Sequence, residues 1–204
     1  MEIRNVPVYI MGAGGFSKEV AWLLRDTPGF DVAGFVDRED QTEFHKLLEA
    51  DKPFYAIMGV GSPQIIARIA SEFSIYKNLQ WPTVIHPSVI GDFDRLTFGE
   101  GCVICAGNIF TVDVHLGDFN VINLNSTLGH DLRTGAFCVI NPNCSTSANV
   151  TLEGENLVGA GSTLLADITL HTGAVLGAGA LLTKDIPAGE VWAGVPAKRF
   201  GDWD

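Results

Sequence analysis

The sequence predicts an α/β domain over residues 1–80 followed by a parallel β-helix of hexapeptide repeats over residues 81–204. Two patterns carry this prediction: alternating strands, turns and helices in the first part, and a strict six-residue apolar period in the second. Counting in sixes from Phe98 to Leu182 gives fifteen positions, of which thirteen are Val, Ile, Leu or Phe. A period of six suits neither an amphipathic helix, at about 3.6, nor a half-buried strand, at about 2. It suits short strands wound into triangular coils that bury one apolar residue per face. The two exceptions are Thr134 and Thr146.

The elements follow in order. An apolar strand over residues 6–11 runs into Gly12-Ala13-Gly14-Gly15, and a helix with Phe16, Val20, Leu23 and Leu24 follows. A second strand over residues 32–36 ends at Asp37, and a weak helix carrying Phe44, Leu47 and Leu48 leads to a strand over residues 54–60. Gly61-Ser62-Pro63 then supplies an N-cap and a first-turn proline for a helix bearing Ile65, Ile66, Ile69 and Phe73. This alternation means a small parallel sheet, half a Rossmann domain in size. Trp81-Pro82-Thr83 and His86-Pro87 mark the junction. From Lys184 the period breaks, with Pro187 and Pro196, and the tail is expected to fold back as a cap.

Composition excludes several function classes. A net charge of −11 makes nucleic acid and anionic membranes poor partners. No apolar run approaches the ~20 residues that span a bilayer, and residues 1–7 lack the pattern of a secretory signal. A cytoplasmic chain that does not insert into membranes is expected. Cys102, Cys138 and Cys144 share one inward phase with Asn108, Asn120, Ser126, Ser162, Ala174 and Ala180, which reads as core filling. Cys102-x-x-Cys105 is half of a metal site without a second pair, so no metal is expected.

Two motifs carry chemistry. The glycine-rich turn ends a strand and opens a helix, where backbone N–H groups hold phosphate. Asp37 stands where an acidic side chain accepts from a ribose or a base, Ser17 replaces the third glycine of the dinucleotide fingerprint, and Lys18 adds charge nearby. A tight turn without any ligand is the alternative. Among the histidines of the repeat region, His115 points outward from a strand and His171 sits in a late turn. His130 occupies a corner turn beside Asp131, which suits proton transfer near neutrality; a solvated turn residue is the alternative. The His-x4-His pair of zinc-bearing hexapeptide helices is missing.

These motifs in this order resemble the NeuD/PglD-type sugar acyltransferases over nearly the whole length. The carriers are Gly12-Ala13-Gly14-Gly15-Phe16-Ser17-Lys18-Glu19-Val20, Gly34-Phe35-Val36-Asp37, His86-Pro87, Asn123 with His130-Asp131, and Gly194-Val195-Pro196-Ala197-Lys198-Arg199. The resemblance implies a left-handed β-helix, a homotrimer with CoA in a groove between two helices, and acetyl transfer from acetyl-CoA to a sugar. It makes His130 the general base, Asp131 the group that orients the imidazole, and Asn123 a hydrogen-bond partner of the acceptor. It makes the Ala148 N–H the donor to the thioester oxygen. Gly159, Ala160 and Gly177 would lie along pantetheine, while Lys184, Lys198 and Arg199 would meet the CoA phosphates. Gly14, Gly15, Ser17 and Asp37 would hold the nucleotide of a nucleotide-sugar acceptor. Val139 replaces a second histidine common in the family, and Ala148 replaces a glycine. With Thr134 and Thr146, these departures imply a reshaped acceptor or thioester pocket.

The function expected is N-acetylation of a UDP-4-amino-4,6-dideoxyhexose. O-acetylation of a sialic acid or related sugar, or a nucleotide-sugar-binding protein without catalysis, are the alternatives.

Overall fold

A computed structural model of the chain describes residues 5–37, 42–50 and 52–203. Strands β1 (Val6–Met11), β2 (Phe30–Val36), β3 (Phe54–Met58) and β4 (Leu79–Gln80) form a parallel sheet in the order β2-β1-β3-β4. Helices α1 (Gly15–Asp26), α2 (Thr42–Leu48) and α3 (Pro63–Phe73) supply the crossovers. Val8, Ile10, Ala56 and Ile57 are fully buried because helices cover both faces of the central strands. The ring of Phe44 meets Tyr9, Phe54 and Phe73 edge-on at 5.7, 5.4 and 5.7 Å, which fastens the short α2 to the sheet. Since β2 and β3 flank β1 on opposite sides, the crossovers diverge there and leave a crevice at the carboxyl ends of β1 and β3. Strand β2 starts two residues before the expected 32, and β3 stops at Met58 rather than at residue 60, releasing Gly59, Val60 and Gly61 to the crevice.

From Val84 the chain winds into a left-handed parallel β-helix with three sheet faces. Partners lie eighteen residues apart: Ile104 pairs with Ile122, Ile122 with Ile140, and Ile140 with Val158. These four side chains are completely buried and form a single column inside the prism. The coil begins earlier than the six-residue count suggests. Val84–Ile85 already pairs with Val103–Ile104, at an offset of nineteen. The extra residue falls at the short 3-10 turn Phe93–Arg95, which shifts the phase and hides the first coil from a fixed count. At the other end, Val191 and Trp192 continue the first face against Val175 and Leu176, and Ala197–Asp202 returns antiparallel along Glu190–Gly194. The expected cap is therefore one more rung closed by a hairpin.

Polar residues of the inward phases satisfy the backbone. The Asn120 carboxamide donates to the carbonyls of Gly117 and Gly135 and accepts from the N–H of Cys138. Thr134 and Thr146 also point inward, accepting N–H bonds from Gly117 (3.3 Å) and Gly129 (3.0 Å). The two threonines therefore shape the interior of the prism and not an external pocket, contrary to expectation. Burial pushes the Cys102 thiol up to about 11 and the Cys138 thiol up to about 12. Cys105 faces the other side of the wall, in the seam against the first unit, and burial pushes it up to about 12. The two halves of the Cys-x-x-Cys motif are thus on opposite sides of one wall.

That seam is a continuous apolar cluster. Outward side chains of the first face, Val103, Val121 and Val139, join Val20, Leu23 and Leu24 of α1 in it. Val139 is 1% exposed, so the valine that stands in place of histidine fills this seam. Two corner residues serve the same contact at a cost. Most corners turn through Gly, Asn or Asp in the left-handed region, yet Phe119 (φ 55°) and Phe137 (φ 64°) do so with aromatic side chains. Their rings stack at 5.7 Å, and Trp81 meets Phe119 edge-on at 5.5 Å. Phe119→Asn relieves roughly 1 kcal/mol of backbone strain but removes a buried ring worth about 3–5 kcal/mol. A net loss of about 2–4 kcal/mol is expected in thermal or urea unfolding; an unchanged midpoint would show that the ring contributes nothing to the seam.

Candidate active site

The crevice at the end of β1 is built by glycines with different tasks. Gly12 turns the chain at φ 115°, where an added Cβ would come within 3.1 Å of both Ser17 Oγ and Val60 Cγ1. At Gly59 a Cβ would lie 2.5 Å from Ile10 Cγ2. These two are small because β1, β3 and α1 press together. Gly14 and Gly15 differ, since a Cβ on either meets nothing within 4 Å, and Gly14 has an ordinary extended backbone (φ −79°, ψ −170°). Their smallness keeps space open. Gly14 caps α1, whose first N–H groups have no partner within the helix and face that space. The resulting cleft has a volume of about 840 Å³, and Asp37, Ser62, Arg68 and Glu72 supply its polar wall.

Two sequence expectations change here. Ser17 is fully buried and donates its hydroxyl to the Gly59 carbonyl at 2.9 Å, so it ties α1 to the end of β3 instead of lining the cleft. Lys18 borders a separate groove beside Trp22 and Phe35. Among the described residues, the cation that does reach the cleft is Arg68 of α3, which the sequence motifs did not single out. The available signal was Gly61-Ser62-Pro63, a second strand–turn–helix junction, because the sheet order places it beside the first.

On the solenoid, His130 and Asp131 form the corner between Thr127–Leu128 and Arg133–Thr134. Asp131 adopts φ 61°, a conformation that Asp tolerates, and its Oδ2 lies 2.7 Å from His130 Nδ1. The hydrogen bond from His130 holds the Asp131 carboxyl below the usual carboxylate range, and the charges of His130, Arg133 and Arg95 add to it. With Nδ1 donating to the carboxylate, the neutral ring keeps its lone pair on Nε2, ready to accept a proton. The imidazole is 57% exposed, so a substrate can reach it. Ala148 stands one coil above, where the neighbouring Asn149 N–H donates to the His130 carbonyl at 2.9 Å. The Ala148 carbonyl accepts from Asp167 (3.0 Å), while among the described residues no acceptor takes the Ala148 N–H.

Other predicted residues are placed elsewhere. Asn123 opens the preceding corner, its Oδ1 accepts the Leu124 N–H at 2.9 Å, and strand Thr127–Leu128 separates it from His130. One chain does not bring the two together. His115 Nδ1 lies 2.7 Å from Thr97 Oγ1, and His171 pairs with Glu153 at 3.0 Å. A Cβ on Gly159 would lie 2.4 Å from the Ala178 nitrogen, and one on Gly177 would lie 2.9 Å from Ala193 Cβ. Glycine at both places therefore serves the stacking of coils, and the Ala160 carbonyl accepts the N–H of Gly179 (2.8 Å) in the same stack. Arg199 is bound to Asp202 (2.5 Å) and Glu190 (3.2 Å), so its charge is already matched. Lys184 lies 4.9 Å over the Trp192 ring, and Lys198 is exposed. Among the described residues at that end of the prism, these two lysines have no ion-pair partner, unlike Arg199. Among the described residues, no group of three or more His, Cys, Asp or Glu is placed to hold a metal ion, and no helix is long and apolar enough to cross a membrane.

Residues 7–73 match the PglD N-terminal domain family. The whole chain superposes on a point variant of perosamine N-acetyltransferase from Caulobacter crescentus, solved in complex with CoA and GDP-perosamine. The TM-score is 0.89 and the identity 26%, covering 96% of this chain and 97% of that one. The acetyltransferase domain of PglB from Neisseria gonorrhoeae, solved with acetyl coenzyme A, is 27% identical over 96% of this chain and all of that one, at a TM-score of 0.82. Residues 7–73 thus carry the PglD N-terminal domain, and over nearly its whole length the chain is similar to sugar N-acetyltransferases. WeeI from Acinetobacter baumannii, 21% identical over 96% of this chain and 100% of that one (TM-score 0.79), shares the fold. None of the curated proteins matches the chain by sequence.

Proposed function

We propose that the protein transfers the acetyl group of acetyl-CoA to the amino group of a nucleotide-linked amino sugar, of the UDP-4-amino-4,6-dideoxyhexose type, with His130 as general base. The observation that carries this reading is the 2.7 Å contact of His130 Nδ1 with Asp131 at an open corner, one coil below the Ala148 N–H, which no acceptor among the described residues takes. The imidazole Nε2 takes a proton from the amine as its nitrogen attacks the thioester carbonyl. Negative charge that develops on the carbonyl oxygen is met by the Ala148 N–H. Collapse then expels the CoA thiolate, which takes up the proton held by His130, leaving an amide and free CoA. Asp131 keeps the ring oriented and offsets the transient imidazolium charge.

In the same reading, residues 1–80 hold the nucleotide and residues 81–204 carry out acyl transfer. Gly14, Gly15 and Asp37 contact the nucleotide with Arg68, and Lys184 and Lys198 meet the phosphates of CoA. Three copies assemble so that CoA lies between adjacent prisms and the Asn123 carboxamide meets the acceptor; exposed Ile90 and Ile109, neighbours on one face, support such a contact.

The test is release of free thiol from acetyl-CoA with a panel of uridine-, guanosine- and thymidine-linked amino sugars, with the product identified by mass. Guanosine belongs in the panel because a similar structure holds GDP-perosamine. Amide formation with one nucleotide series is the expected result. Tight nucleotide binding without turnover on any sugar would replace the enzyme with a binding module. Gly14→Val separates the two sites. Its backbone accepts valine, but the side chain enters the cleft, so KM for the nucleotide sugar should rise at least tenfold with Tm and KM for acetyl-CoA unchanged. An unaltered acceptor KM would remove the cleft from the substrate path.

A further inference from the structure

The extra residue of the first coil falls in the turn Phe93–Arg95, held by the Arg95 N–H donating to the Asp92 carbonyl at 2.8 Å. That turn directs the Arg95 side chain onto the next coil. Its Nε donates to Asp113 Oδ1 at 2.9 Å, and its Nη2 donates to the other oxygen of the same carboxylate. Asp113 (φ 56°), Asp131 (φ 61°), Asn149 (φ 53°) and Asp167 (φ 60°) occupy one corner of four successive coils. The Asp113 carboxylate therefore belongs to the coil next to the His130–Asp131 pair, about 5 Å along the axis. Asp167, on the far side, is bridged by the Asn149 carboxamide at 2.8 Å. Without the fork from Arg95, the Asp113 carboxylate would stand unmatched one coil from Asp131.

We propose that Arg95 is a positioning residue for acyl transfer: its fork on Asp113 cancels the charge one coil below the dyad, so that the contact with Asp131 governs the imidazole. The inference rests on the reading of His130 as the base. Among the described residues, the other charged or titratable groups beside this corner are Arg133, on the strand that follows, His115, its partner across the coils, and Asp92, beside Arg95. None replaces the two-point contact. Loss of Arg95 exposes the imidazole to Asp113 as well as Asp131, which favours the imidazolium and holds the proton to higher pH.

The experiment follows the imidazole C–H resonances by NMR across pH in R95Q, R95K, D113N and the R95Q/D113N pair. His130→Gln assigns the signal, and kcat/KM is measured over the same range. In R95Q the titration midpoint of His130 is expected to rise by about half a pH unit at low salt, the effect of one charge ~5 Å away in water-like surroundings. It should fall in D113N and return close to the wild-type position in R95K and in the double variant. The acid limb of kcat/KM should move with it. An R95Q midpoint equal to that of the wild type overturns the proposal even if Tm falls, because a purely structural ion pair changes stability and not the titration. Shifted midpoints in a protein without turnover would instead retain the charge cancellation and discard the acyl-transfer reading.

Discussion

His130→Ala is expected to lower thiol release from acetyl-CoA by about 10²–10⁴-fold at neutral pH, the range for loss of a positioned general base. The imidazole is exposed at a corner, its ring packs into no core cluster, and the variant should fold with the wild-type Tm. The loss should therefore appear in kcat with little change in KM for either substrate, because the group acts in the transition state. Residual activity should rise with pH as the free amine becomes more abundant without help from the protein. Asp131→Asn should cost less, about tenfold or more, since the base remains but loses the partner that fixes its tautomer. Equal turnover in wild type and His130→Ala, measured with the same acceptor, would assign the proton to another group and leave His130 a solvated corner residue.

Much of the architecture was legible because it is periodic. An inward column repeated every six residues forces a three-sided coil, and Ile104, Ile122 and Ile140 stack as that period requires. What escaped the sequence escaped for definite reasons. The first coil was hidden by the single added residue near Phe93–Arg95, since a fixed count fails wherever a turn lengthens. Thr134 and Thr146 looked like departures that reshape a pocket, but a hydroxyl aimed inward can satisfy a backbone N–H of the adjacent coil. Sequence spacing does not tell inward accommodation from outward function.

The candidate site divides along the same line. His130 and Asp131 are adjacent in the chain, so their contact could be anticipated, and so could the glycines at the start of α1. Arg68 reaches the cleft only because β1 and β3 are neighbours, and Ser17 leaves it because the end of β3 offers a carbonyl beneath the turn. Arg199 and Lys198 look equivalent in the sequence. They differ because Glu190 and Asp202 lie beside one of them when the hairpin closes. Long-range pairing decides each case, and a local motif carries no record of it.

Gly129→Ala should be strongly damaging, a single methyl added next to the His130 corner. A Cβ at residue 129 would lie 2.4 Å from the Ser147 oxygen, 2.7 Å from its carbon and 2.8 Å from the Thr146 oxygen. All three are backbone atoms of the next coil, so no flexible side chain can give way. Separating the coils breaks the bonds from the Gly129 N–H to Thr146, at 3.2 Å to the carbonyl and 3.0 Å to the hydroxyl. The expected loss is about 3 kcal/mol or more, at the upper end of overpacking costs, or roughly 10 °C in Tm for a chain of this size. Protein that remains folded should also lose about 10²-fold in kcat, because the same shift carries Ala148 away from His130 and a displacement of ~1 Å is enough for that. Gly161→Ala is the control: its Cβ would meet nothing within 4 Å, and only its positive φ (70°) opposes the change, at a cost of about 1–2 kcal/mol. If Gly129→Ala keeps both the Tm and the rate of the wild type, then contact between adjacent coils does not set the geometry at residue 130.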